Sequence, residues 1–166
     1  MTTFKQSLLR TLQLAAVGIL VCTAIPTHQA YADTEEPTPI TKPVREALQT
    51  FKDKFQRKEL THPYNLPFTI TKSVGTIAGD QLELDYVNDK LNQRCKIFIR
   101  PFDGNHVIPE ADQAVTLQDG TQAIMEDQHL FDSVKFVKGG WSYRITLLKN
   151  DSRDAKQDLM AIANSL

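Results

Sequence analysis

The stretch Gly139-Gly140-Trp141-Ser142-Tyr143-Arg144-Ile145-Thr146-Leu147-Leu148, followed after a polar connection by Ala155-Lys156-Gln157-Asp158-Leu159-Met160-Ala161-Ile162-Ala163-Asn164-Ser165-Leu166, decides the fold class. From Trp141 to Leu147 the large apolar groups stand at every second residue, the period of a strand with one buried face. Leu159, Ile162, Ala163 and Leu166 then recur at helical spacing, on one side of a short amphipathic helix. Asn150-Asp151-Ser152 offers the turn and a choice of N-cap between them. A helix this short does not hold itself together in water, so it is expected to lie on the sheet to which the strand belongs.

Working back from that ending, further strands are expected at 68–71, 82–87, 95–101, 115–117, 122–125 and 134–137. Asp119-Gly120 and Gly139-Gly140 mark two hairpins. Leu82, Leu84 and Tyr86 alternate with Glu83, Asp85 and Val87, as on a half-buried strand. Towards the N-terminus, Val44, Leu48, Phe51 and Phe55 have helical spacing, and Pro43 suits the first helical position. Pro63 and Pro67 stop that helix and turn the chain. The expected architecture is α+β: an antiparallel sheet of five to seven strands, an N-terminal helix over 43–59 and a C-terminal helix packed on the sheet.

The first 32 residues read as an export signal. Lys5 and Arg10 precede an apolar run from Leu12 to Ile25, and Ala30-Tyr31-Ala32 has the small-x-small form that a signal peptidase cleaves. The run is shorter than the roughly 20 residues of a bilayer span. Cleavage after Ala32 gives a secreted chain beginning at Asp33. The alternative is a lipoprotein anchored at Cys22, since Ile19-Leu20-Val21-Cys22 resembles a lipobox, although Val21 stands where that motif has a small residue. Residues 33–42, rich in Pro, Thr and acids, are expected to form a flexible linker, leaving 43–166 as a single domain.

Removing Lys5 and Arg10 from the 19 basic residues leaves 17 against 20 acidic ones, a formal charge of −3. That balance offers no footprint for nucleic acid. Cys95 is the only cysteine after Ala32; its spacing puts it on the face of Ile97 and Ile99, as a buried small hydrophobe. A bridge to another chain or a reactive thiol is the other reading of an unpaired cysteine in an exported protein.

The chemistry-bearing residues are dispersed. His62, His106 and His129 form no His-x-x-x-His pair, and Cys-x-x-Cys is absent, so neither a metal site nor a cofactor is expected. No Gly-x-Ser-x-Gly elbow, Ser-x-x-Lys pair, phosphate loop or dinucleotide fingerprint occurs, and no catalytic residue is assigned. Glu83 with Asp85, and Glu126 with Asp127, are candidate carboxylate pairs, but alternating charge on the wet side of a sheet has the same pattern. Aromatic residues gather late in the chain, and Trp141 and Tyr143 are the candidate ligand-binding residues, against the competing role of filling the core.

Asn65-Leu66-Pro67-Phe68, Leu84-Asp85-Tyr86, Gly120-Thr121-Gln122-Ala123, Trp141-Ser142-Tyr143-Arg144-Ile145 and Leu159–Leu166 together resemble an uncharacterised extracytoplasmic domain of Gram-positive bacteria, found in secreted proteins, lipoproteins and anti-sigma-factor ectodomains. The likeness covers about residues 64–166, and its motifs are mostly packing positions. It implies an antiparallel sheet with flanking helices and no agreed catalytic residues. The expected function is a non-catalytic exported module that binds a protein, peptide or cell-envelope component, with membrane association only through Cys22. A secreted hydrolase with a dispersed site and a carrier of an apolar ligand are the alternatives.

Overall fold

The computed structural model describes residues 38–56, 60, 62–104, 114–149 and 154–166. The signal segment, His106 and the Asn150–Ser152 turn lie outside them. Ten elements follow in order: β1 (Ile40–Lys42), α1 (Val44–Phe55), β2 (Lys72–Ala78), β3 (Gln81–Asn88), β4 (Gln93–Pro101), β5 (Ala114–Thr116), β6 (Gln122–Asp127), β7 (Phe131–Lys138), β8 (Trp141–Leu148) and α2 (Ala155–Asn164).

The fold is α+β. All strands join one antiparallel sheet in the order β1-β2-β3-β4-β8-β7-β6-β5. It consists of two four-stranded halves sealed along β4 and β8: β2–β4 and β5–β8 return by hairpins, whereas β1 reaches β2 through α1. The register aligns Leu84, Ile97, Ile145 and Val134 in one row, and Leu82, Ile99, Tyr143 and Phe136 in the next. These residues are buried, and helices α1 and α2 pack over the same face.

The sheet has eight strands instead of five to seven. Residues 68–71 form no strand; the chain pairs only from Lys72, where β2 begins. Strand β2 evades a hydrophobic pattern because its centre is Gly75, and the reason is packing: a Cβ there would stand 2.3 Å from the Cβ of Ala47 on α1. The other added strand, β1, falls inside the stretch expected to be a linker. Ile40, Thr41 and Lys42 pair with Ile77, Thr76 and Gly75, so backbone pairing orders three residues with little side chain to bury.

Helix α1 is also shorter than the expected 43–59. Pro43 is its N-cap rather than its first residue, with ψ 142°. At the other end Gln56 takes the left-handed conformation and its N–H returns to Asp53 O and Lys52 O, which ends the helix. Ala47, Leu48 and Phe51 form the buried face. Phe51 meets Trp141 with ring centroids 5.4 Å apart, and Phe55 meets the same indole edge-on at 6.0 Å. Helix α2 is capped by Asp154, whose side chain accepts from the N–H groups of Lys156 and Gln157. It buries Leu159, Ile162 and Ala163 against the β7–β8 side. No helix among the described residues is long and apolar enough to cross a membrane.

Candidate functional site

With both helices on one side, the opposite face of the sheet carries mostly polar side chains, with Val74, Phe98 and Ile124 among them. One row across it runs Thr76, Glu83, Phe98, Arg144, Lys135, Ile124, and the next runs Val74, Asp85, Lys96, Thr146, Ser133, Glu126. Opposite charges on neighbouring strands stand within reach of one another. Lys96 Nζ donates to Glu83 at 2.5 Å, and Lys135 Nζ donates to Glu126 at 2.5 Å. Ser133 Oγ donates to Glu126 at 3.2 Å, and Arg144 Nη2 donates to the same carboxylate at 3.3 Å. Burial alone would raise the Glu126 carboxyl, but Lys135, Ser133 and Arg144 together hold it below its ordinary value.

This face bears a cleft of about 210 Å3 at the β2–β4 side, lined by Lys72, Val74, Asp85, Val87, Asp89 and Arg94. The β3–β4 hairpin builds it. Asn88 Oδ1 accepts from the N–H groups of Lys90 and Leu91 at 3.0 and 3.1 Å, which shapes the turn, and Asn92 takes a positive φ of 48° to close it. The returning strand sets Arg94 opposite Val87 and diagonal to Asp85. Its guanidinium grips that carboxylate with two donors: Nε at 2.8 Å, and Nη2. Hydrogen bonding to Asp85 strengthens the Arg94 charge further. Beside them, the Asp89 N–H donates to Thr71 Oγ1 at 3.0 Å. The Lys72 side chain makes no hydrogen bond or ion pair with another described residue, and it is the cleft cation left for an incoming group.

Trp141 and Tyr143 lie on the other side of the sheet. They are 0% and 4% exposed. Tyr143 stacks on Phe136 with centroids 5.0 Å apart and ring planes 13° from parallel, and burial pushes its hydroxyl up to about 12. Both side chains are packed into the core and present no surface to a ligand in this conformation.

Cys95 is fully buried near the start of β4, and burial pushes its thiol far up. His62 and His129 are exposed. The ring Nδ1 of His62 is 2.9 Å from the carbonyl oxygen of Pro63. Among the described residues no group of three or more His, Cys, Asp or Glu could hold a metal ion. The carboxylate pairs do not act as pairs: Glu83 and Asp85 each face a separate cation, and Glu126 and Asp127 point to Lys135 and Lys149.

Sequence reasoning missed the cleft residues Lys72, Val87, Asp89 and Arg94. The available signal was the hairpin length. Once Asn88 and Gln93 close the turn, period-two alternation places Arg94, Val87, Asp85, Lys72 and Val74 on one face.

Comparison of the chain with family models, with curated proteins and with solved structures gives no match.

Proposed function

We propose that the chain is an exported, non-catalytic binding module that recognises a protein, peptide or cell-envelope component on the uncovered face of its sheet. The observation that carries this reading is the cleft bounded by Lys72, Val74, Asp85, Val87, Asp89 and Arg94. Val74 and Val87 give it apolar contact, the Asp85–Arg94 pair gives it a rigid polar wall, and Lys72 supplies a charge. A few fixed polar groups around an apolar patch set orientation in a binding site. In this reading the sequence ahead of Asp33 exports the chain, which is secreted after cleavage near Ala32 or held at the membrane through a lipidated Cys22. The resemblance to an extracytoplasmic domain of Gram-positive bacteria supports the same compartment.

Amide-resolved titration of the full chain with soluble cell-wall fragments and with short extended peptides tests the reading. Saturable shifts around Val74, Asp85, Val87 and Arg94, with every probe recovered chemically unchanged, are expected. Turnover of a probe, abolished by replacing a surface carboxylate in a protein that stays folded, would replace this function by hydrolysis.

A further inference from the structure

Strand β1 covers less than half of its neighbour. Its three residues pair with Gly75, Thr76 and Ile77 of β2, a strand that runs from Lys72 to Ala78. After Lys42 the chain reaches Pro43, which has no N–H to give, and turns into α1. Lys72, Ser73 and Val74 therefore pair with β3 on one side and, among the described residues, with no strand on the other. Lys72 and Ser73 are exposed, and Val74 is half-buried. Ser73 alternates onto the helix-covered side of the sheet, so its exposure shows that α1 does not close over this corner.

The open edge adjoins the cleft. Lys72 and Val74 are cleft residues, and both alternate onto the uncovered face with Asp85, Val87 and Arg94. An added strand would lie about 4.8 Å from β2, with every second side chain over that cleft. Asp85 is paired with Arg94, and Asp89 lies past the end of β3, one strand in from this edge, with the Thr71 hydroxyl 3.4 Å from its Oδ2. The charge on the edge strand itself is Lys72, whose side chain has no ion-pair partner among the described residues. Complementarity thus selects an acid on the incoming strand, because opposite charges directly across a strand pair stabilise it.

Resting on the binding role proposed above, we infer that the occupant is an extended peptide that adds to the outer edge of β2 along Lys72–Val74, in the line that β1 leaves, and sets an acidic side chain beside Lys72. Main-chain hydrogen bonds supply affinity in this mode, and the side chains over the cleft supply selectivity.

The test uses the full chain and a positional library of peptides of about nine residues, long enough to span the edge. These alternate Val and Thr, with Asp, Ser or Lys placed at each position in turn. The best Asp peptide should shift the amides of Lys72, Ser73 and Val74, and should bind at least about ten-fold more tightly than its Lys counterpart, a preference that weakens with salt. Methylating alternate peptide nitrogens should abolish binding, and Lys72→Glu should invert the charge preference while leaving the spectrum dispersed. Binding that ignores N-methylation overturns the inference, as does a library in which no peptide shifts the β2 edge. Shifts confined to Glu126, Lys135 and Arg144 overturn the edge while keeping a binding role for the open face. Silence of the whole chain towards peptides and cell-wall fragments alike overturns both.

Discussion

Gly75 of β2 and Ala47 of α1 meet so closely that a Cβ on the glycine would lie 2.3 Å from the alanine Cβ. The backbone of Val44 is also near, with its Cα 3.6 Å from the same point. Helix α1 thus rests on bare strand, and the two smallest side chains set its height above the sheet. Gly75→Ala forces the helix outward. It should cost about 1 to 3 kcal/mol, the usual range for overpacking, with Gly75→Val worse. Urea unfolding checks this, and Ala47→Gly added to Gly75→Ala should restore part of the loss despite its own helix cost of about 1 kcal/mol.

Trp141 is the largest fully buried side chain and lies beside Phe51 and Phe55. Trp141→Ala is expected to lose about 3 to 5 kcal/mol, measured by chemical denaturation. Trp141→Phe, which keeps an aromatic ring, should lose less and leave ligand binding in the folded protein unchanged. A folded Trp141→Phe protein that no longer binds would return the indole to the site.

Acid and alkali should unfold the protein through different groups. Glu126 is held below its ordinary value of 4.5. A depressed acid stabilises the fold above its unfolded value, and that contribution disappears as the pH falls through the folded one. The unfolding midpoint should therefore drop below about pH 4.5, and less steeply in Glu126→Gln. Tyr143 is raised from 10.0 to about 12 by burial. Its neutral form is favoured in the fold, so its contribution is complete below pH 10.0 and is lost as the pH rises through about 12. Tyr143→Phe should flatten the alkaline limb, read by circular dichroism against pH.

Cys95 has no exposed surface, and desolvation is the first cause of its raised thiol, followed by the charge of Asp85. The thiolate is the reactive form. Alkylation of the native protein, followed by intact mass, should proceed only at the rate of unfolding, and should become rapid in denaturant. Rapid native labelling would show that β4 opens.

The late chain was legible because one physical demand governs it. Trp141, Tyr143, Ile145 and Leu147 each face the core, and β8 runs from Trp141 to Leu148, one residue past that alternation. The sheet's other margin was not legible. Gly75 answers to a helix that approaches from elsewhere in the chain, and Ile40–Lys42 are ordered by hydrogen bonds to β2 with their side chains largely exposed. The same holds for the functional face. Aromatic bulk drew attention to Trp141 and Tyr143, which packing claims, whereas Lys72 and Arg94 acquire their significance only from cross-strand register.

Arg94 offers the most direct measurement of the binding account. Its guanidinium is 45% exposed and forms the cleft wall with Asp85, whose side chain is 13% exposed, on the face away from the helices. Affinity of the full chain for its best peptide or cell-wall probe should be compared with that of Arg94→Gln, alongside the unfolding midpoint of each. A fall of about ten-fold or more in a protein that stays folded, with a loss of stability of about 1 to 3 kcal/mol for leaving the part-buried Asp85 carboxylate short of donors, is the predicted result. Unchanged affinity in a folded Arg94→Gln protein would contradict the account and move the binding site away from this face.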